Sequence, residues 1–193
     1  MGETLEIAPY DPAWPAAFSA ERDRLAAVLG ALAIRIDHHG STAVPGLAAK
    51  PVIDIQISVA DLGPLEEYAA RLARLGYVHV PHPDDAVCPF FHRPAVWPHT
   101  HHVHLVRSGG AEERQTLAFR DYLREHPEVA RAYERLKREL APLYGAATFD
   151  SRQAYADAKT EFVTRIIETA LAEGLPRAWP RTIGPCPGSS RIS

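Results

Sequence analysis

The sequence predicts an α+β fold: a small mixed sheet with flanking helices on one side, followed by an all-helical C-terminal part. Three observations predict it. Apolar residues alternate at period two in short runs, most clearly in Val52-Ile53-Asp54-Ile55-Gln56-Ile57-Ser58-Val59. Between those runs, stretches such as Leu65 to Leu75 carry apolar residues at three- and four-residue spacing. From about Ala111 onward the helical spacing is all that is left. With 193 residues and no internal repeat, the chain reads as one domain over 1–173, large enough to bury a core. Residues 174–193, rich in Pro, Gly and Ser, read as a disordered tail.

Taken in order, residues 4 to 10 alternate weakly and lead to Tyr10-Asp11-Pro12-Ala13-Trp14-Pro15, a turn that opens a helix. Phe18, Leu25, Val28, Leu29 and Leu32 mark its apolar side to about Ala33, with Glu21, Arg22, Asp23 and Arg24 toward water. Arg35 to His39 is a short element that stops at Gly40-Ser41-Thr42. The strand Val52 to Val59 puts its isoleucines on one face and Asp54, Gln56 and Ser58 on the other. A helix starting at Asp61 or Gly63-Pro64 ends at Gly76, which suits a C-cap. Short strands follow at Tyr77 to Val80 and Phe90 to Arg93, separated by a loop from Pro81 to Pro89. His101 to Val106 is a further strand with His102, His104 and Val106 on one face. Helices then run from Ala111 to about His126-Pro127, from Val129 to Leu143, and from Tyr155 through Leu171.

Composition narrows the function classes. The formal net charge of -3 argues against a nonspecific nucleic-acid binder, which is ordinarily basic. No run of about eighteen apolar residues and no secretory pattern is present, so the expectation is a cytoplasmic protein without a membrane span. Cys88 and Cys186 are far apart and lack metal-type spacing, which predicts free thiols. Oligomeric state is not legible.

The densest punctuation falls in Arg35 to Val59. Gly40 followed by Ser41 and Thr42 suits a tight turn into a single helical turn, because glycine takes positive φ and the hydroxyls cap orphan N–H groups. The same donors suit a phosphate, with Lys50 as a nearby point charge. An ordinary capped turn has the same spacing. Asp54 on an isoleucine-flanked strand is costly unless it meets a cation or donors, or sits at a solvated edge.

At this point a resemblance enters. Gly-Ser, twelve residues, then Asp-Ile-x-Ile resembles the signature of the nucleotidyltransferase superfamily, in which such a turn cradles nucleotide phosphates and paired strand carboxylates hold divalent metal. More closely, HxGSTAVPGLAAKPVIDI resembles the GrpB-like family, a nucleotidyltransferase-fold family also seen fused to dephospho-CoA kinase domains. The likeness runs from Tyr10-Asp11-Pro12-x-Trp14 to about residue 170. Two positions depart from the active superfamily pattern: Gln56 stands where the second carboxylate would be, and His101-His102-Val103-His104 where a third acid would come. This puts two-metal nucleotidyl transfer in doubt.

The resemblance and the residues together define the expected site. Asp54, His102 and His104 form a candidate metal set for Mg or Mn, or for Zn given two imidazoles at i and i+2, with Asp54 and His104 as catalytic candidates. His38, Gly40, Ser41, Thr42, Lys50, Arg93, Arg120 and Lys159 are candidates for nucleotide phosphates, His38 because it matches the family histidine. Arg120, Lys137 and Lys159 match the family's helical motif, although exposed helical cations are mostly solvated. His39, His79, His82, His92, His99 and His101 carry no functional expectation.

The implied function is metal-dependent nucleotidyl transfer to a small-molecule acceptor, or adenylate-forming ligation of a carboxylate, with ATP as the expected nucleotide. The alternatives are a noncatalytic nucleotide- or phosphometabolite-binding module with a degenerate metal site, and a Zn- or Mn-dependent hydrolase. Small molecules, not nucleic acid or membrane, are the expected partners.

Overall fold

A computed structural model describes residues 5–144 and 148–177. In chain order its elements are α1 (Trp14–Leu29), β1 (Arg35–His39), β2 (Ile53–Val59), α2 (Leu65–Ala73), β3 (Val78–Val80), β4 (Phe90–Arg93) and β5 (His101–Arg107). Then come α3 (Ala111–Glu125), α4 (Pro127–Leu140), α5 (Phe149–Asp157) and α6 (Thr160–Ala172). The strands form one five-stranded sheet in the order β1-β2-β5-β4-β3. Only β2 and β5 are parallel, so the sheet is mixed and the fold is α+β.

The alternation in β2 sets which face is which. Ile53, Ile55, Ile57 and Val59 are buried together with Leu25 and Leu29 of α1, Tyr68 and Leu72 of α2, Phe91 of β4, and Val103 and Leu105 of β5. Removing that much apolar surface from water, at about 25 cal/mol per Å², anchors α1 and α2 to this side of the sheet. The opposite face carries the polar half of each strand and is approached by α3, which contacts β5 and β1. Gln56 and Ser58 on that face are almost fully buried. Gln56 Nε2 lies 3.5 Å from the Glu113 carbonyl, and Ser58 Oγ donates to the Glu113 carboxylate at 2.5 Å.

Three expectations need correction. Glu21 does not point to water: it is 2% exposed and its carboxylate accepts bonds from Tyr77 Oη, Arg93 and Arg24 at 2.9, 3.1 and 2.8 Å. It lies three residues after Phe18 and four before Leu25, so helical spacing places it inside the apolar stripe. The single helix expected from Tyr155 to Leu171 is two helices, broken at Ala158 and Lys159. They serve different cores: Tyr155 of α5 packs with Leu5 and Ala141, whereas Ile166 and Ala170 of α6 pack with Ala118 and Tyr122 of α3. One straight helix cannot reach both. The start of the expected tail also belongs to the fold, since Leu175 is buried with α6 and Arg177 pairs with Glu125 at 2.8 Å. The remainder of that tail, 178–193 with Cys186, lies outside the described residues. Among the described residues no helix is long and apolar enough to cross a membrane.

Candidate functional site

Strand register builds the floor of the site. His39 of β1 is opposite Asp54 of β2, Asp54 is opposite His102 of β5, and His102 is opposite His92 of β4. Paired residues point to the same side of a sheet, so these four side chains form one row across four strands. The next row is Asp37, Gln56, His104 and Phe90. Both rows lie on the face opposite the isoleucine core.

β1 runs into Gly40, whose φ is +66°. A Cβ there would stand 2.4 Å from Asp54 Oδ2, so glycine is required both by the backbone and by the approach of the carboxylate. The chain then makes a 3-10 turn at Ser41–Ala43. Ser41 Oγ accepts a 3.0 Å bond from Lys137 Nζ of α4 and is also bonded to Tyr133, one helical turn earlier on α4. Lys137 further bonds the Ala48 carbonyl. Thr42 Oγ donates to the Val52 carbonyl at 3.3 Å, which leaves its lone pairs for His38 Nε2–H at 3.0 Å. Two arginines of α3 clamp the loop's backbone: Arg120 bonds the His38 carbonyl at 3.0 Å, and Arg124 bonds the Ala43 carbonyl at 2.9 and 2.7 Å.

Asp54 is the one carboxylate among a surplus of basic groups. Burial opposes its ionisation, yet the hydrogen bond from His102, with Nδ1 3.2 Å from Oδ1, and the adjacent imidazoles hold it well below the usual carboxylate range. His102 Nε2 meets His99 Nδ1 at 3.1 Å, and the His99 ring stacks on His92 with centroids 3.8 Å apart. Burial pushes His99 and His104 down to about 3, so both are neutral at physiological pH. His104 turns its Nδ1 toward Cys88 Sγ at 3.7 Å and lies edge-on to His39. The Cys88 thiol is itself pushed up to about 11 by burial, away from thiolate chemistry. His39 Nε2 is buried without a hydrogen-bond partner among the described residues.

Three lysines surround this row. Burial lowers all of them, Lys137 and Lys159 to about 7, while carboxylates pull them back up: Asp54 for Lys50 and Lys159, and Glu134 ahead of Asp54 for Lys137. Lys159 Nζ sits 4.0 Å and Lys50 Nζ 5.5 Å from the centroid of the Tyr155 ring. The Tyr155 hydroxyl is buried and has no hydrogen-bond partner among the described residues. Three lysines, with Asp54 and, for Lys137, Glu134 as their carboxylates, leave a positive charge in a half-dry site, which an anion would neutralise. Beside the row, over β4 and β5, opens a cavity of about 370 Å³ whose lining includes Lys50, His99, His102 and His104, with α5 as a wall.

The structure thus brings Gly40, Ser41, Lys50, Asp54, His102, His104 and Lys159 to one side of the sheet. His38 and Arg93 are not brought there. His38 shares the apolar face with Ile36 and stacks on Phe18 at 4.7 Å, held neutral near 4 chiefly by burial, with Thr42 as its partner. Arg93 lies on the α1 side, spent on Glu21 and on His101 at 3.1 Å. Arg120 of α3 lies over the polar face beside Asp37 at 3.7 Å, with its guanidinium also bonded to the His38 carbonyl and Asp121. The groups the sequence reading passed over are His39, His99 and Tyr133. Two signals for them were available. Ile36 in β1 fixes His38 on the apolar face, so His39 must lie on the polar one. And Tyr133-x-x-x-Lys137 and Tyr155-x-x-x-Lys159 repeat one i,i+4 pair on two helices, each lysine lying over its own tyrosine ring.

The donor set does not fit the metal centre implied by the resemblance. Gln56, at the second carboxylate position, is 1% exposed and sealed beneath α3 against a backbone carbonyl. An acid there would be buried against oxygen. Asp54 and His102 supply two donors, but His104 is turned to Cys88, and among the described residues no three His, Cys, Asp or Glu side chains are grouped to hold an ion.

Comparisons with known proteins agree on one relationship. A family model described as GrpB protein matches residues 4–169. The chain is 39% identical over 173 residues to a UPF0157 protein of Pseudomonas aeruginosa, spanning 88% of this chain and 69% of that protein. It is similar in structure to the conserved protein GrpB from Enterococcus faecalis, with a TM-score of 0.76 at 31% identity over 87% of this chain and 98% of that one. A dephospho-CoA kinase of Mycolicibacterium paratuberculosis is 31% identical over 91% of this chain, which spans 46% of the kinase.

Proposed function

The chain belongs to the GrpB family, and from that premise we propose that it binds a nucleotide or another phosphorylated small molecule on the lysine-rich side of Asp54. The observation that carries the reading is the lysine trio. Lys50, Lys137 and Lys159 all feel the Asp54 charge, Lys137 after that of Glu134, and Ser41 and Tyr155 place hydroxyls among them. Phosphate oxygens need that combination of charge and donors. A relative named dephospho-CoA kinase is in keeping with a phosphorylated ligand.

The chemistry we infer is transfer of a nucleotidyl group to an acceptor hydroxyl or amine. The acceptor oxygen or nitrogen forms a bond to the α-phosphorus, the bond from that phosphorus to the bridging oxygen breaks, and pyrophosphate leaves with the electron pair. The acceptor proton passes to His102 Nε2, in the position that His99 occupies in the free protein, and Asp54 stabilises the imidazolium through Nδ1. Lysines in place of protein-held metal supply the charge neutralisation, and the rigid floor supplies positioning. No step is routed through a metal ion.

Thermal unfolding against ATP, GTP, CTP and UTP is the first test. At a hundred times the dissociation constant a ligand adds about 2.7 kcal/mol, a clear shift in Tm. Lys137→Met should abolish the shift, and His102→Asn should keep it while abolishing pyrophosphate release. No shift with any nucleotide would overturn the nucleotide reading. A binding module without catalysis is the second reading, favoured by the sealed Gln56. It predicts a Tm shift in the wild type without pyrophosphate release in any acceptor screen.

A further inference from the structure

We propose that the histidine-lined cavity over β4 and β5 is the compartment for the second substrate, and that it takes a flat, unsaturated ring bearing one carboxylate. The inference rests on the nucleotide reading above for the word second, and on the cavity itself for the ligand class.

Its position comes first. His102 lines the cavity while its Nδ1 is bonded to Asp54, and Lys50 lines the cavity while its charge is felt at Asp54. These two side chains are a shared wall, so a molecule in the cavity lies next to whatever occupies the lysine and Ser41 side. Its Nε2 edge meets His99, another lining residue, so a ligand hydroxyl or amine that displaces His99 gains the basic nitrogen.

The lining selects the body of the ligand. Phe90 and His104 lie 5.0 Å apart, His92 and His99 are stacked, and Phe149 of α5 faces them across the space. Ring faces attract other ring faces in offset or edge-on contact. The volume, about 370 Å³, is at the lower end for small-molecule sites and suits one or two fused rings. His99 and His104 stay neutral, so they offer polar edges without charge. Asp84 also lines the cavity and Arg152, which lies over Trp97 at 4.9 Å, does too. The lining thus sets two cations, Lys50 and Arg152, against one carboxylate, Asp84, itself 3.2 Å from His82, and the balance suits a ligand with a single negative charge, which Lys50 meets.

The test uses 2-naphthoate and cyclohexanecarboxylate as probes, with saturation-transfer NMR and calorimetry on the whole protein. Wild type should bind 2-naphthoate at least tenfold tighter than cyclohexanecarboxylate, with and without saturating nucleotide. Ala156→Trp, on the exposed α5 wall, should remove naphthoate binding and leave the nucleotide Tm shift unchanged. Val80→Trp blocks the cavity from the strand side and keeps the test decisive if α5 does not tolerate the first variant. Lys137→Met should do the reverse, losing nucleotide and keeping naphthoate. Failure of 2-naphthoate to bind, equal binding of the two acids, binding unaffected by both tryptophans, or competition with nucleotide would each overturn the assignment. Naphthoate binding to a protein that binds no nucleotide would overturn the second-substrate role and, separately, the nucleotide reading.

Discussion

The two faces of the sheet are built by the same alternation but treat their polar groups in opposite ways. On the α1 and α2 side, Glu21 is surrounded by Tyr77, Arg93 and Arg24, Arg93 also meets His101, and His38 is matched by Thr42. These groups find one another inside an apolar core, and His79 at its edge lies 3.1 Å from Asp85. On the other side His39 Nε2 and the Tyr155 hydroxyl have no hydrogen-bond partner among the described residues, and three lysines converge on one aspartate. Buried polar groups are ordinarily satisfied, so a face that leaves donors and positive charge over is one whose partner comes from outside. Polar residues on a sheet are therefore informative only once it is known which face they occupy.

The largest effect that would sharpen this contrast is on the closed face. Glu21→Ala leaves the Arg93 guanidinium half-buried without its carboxylate and the Tyr77 hydroxyl without its acceptor. Urea unfolding should show a loss of about 3–5 kcal/mol, the usual cost of breaking a buried pair from one side. Nucleotide affinity of the folded fraction should stay within about twofold. A binding loss in excess of the stability loss would mean that the two faces are coupled, and the contrast would break.

Gly40→Ala comes next and acts on the open face. The substituted Cβ meets Asp54 Oδ2, and the backbone must hold φ near +66° with a side chain present. Strain of this kind costs about 1–3 kcal/mol. Because the moving group is Asp54, the loss should fall on binding and catalysis as well as on stability. Retained pyrophosphate release with an unchanged Tm would show that Asp54 has room to move and does not fix His102.

Much of this was legible in the sequence, and the reason is local. The Ile53 to Val59 alternation, the Gly40-Ser41 turn and the helix from Leu65 each depend on neighbours within a few residues, and each appears where the pattern puts it. What was not legible depends on distant pairing. Arg93 read as a phosphate ligand because nothing near it in sequence says that Glu21, seventy-two residues away, has claimed it. Likewise Lys137 reaches Ser41 across ninety-six residues, and the His99 contact with His102 requires the turn at 97–100 to fold back. Gln56 is the instructive middle case. Its departure from the acid pattern was visible in sequence, but its burial under α3, which makes an acid there untenable, was not.

A pH series probes the lysines without mutation. Lys137 and Lys159 have pKa values lowered from 10.5 to about 7, so between pH 7 and 10 the unfolded chain holds protons that the folded chain has released. Stability contributed by these two groups therefore rises with pH across that window and is level below pH 7, where both states hold the protons. A bound anion favours the protonated lysines, so ligand affinity should move the other way, weakening several-fold from pH 7 to 9, with proton uptake in calorimetry near pH 8. Affinity that rises with pH, or binding without proton uptake, would place the ligand away from these lysines.

The smallest expected effect is the most discriminating. Tyr155→Phe removes one oxygen that has no hydrogen-bond partner, from a ring that is 1% exposed. If the hydroxyl does nothing, deleting it relieves an unsatisfied buried donor, and the free protein should gain up to about 1 kcal/mol. The ring itself persists under Lys159 and Lys50, so their placement is kept. If the orphan hydroxyl is aimed at a phosphate oxygen, the same variant should lose about threefold to tenfold in nucleotide affinity, near the net value of one hydrogen bond. A gain in stability together with a loss in binding is the signature expected of a donor that the fold leaves open for a ligand. A loss of stability would instead show that the oxygen has a partner inside the fold, and the open face would have one unmet group fewer.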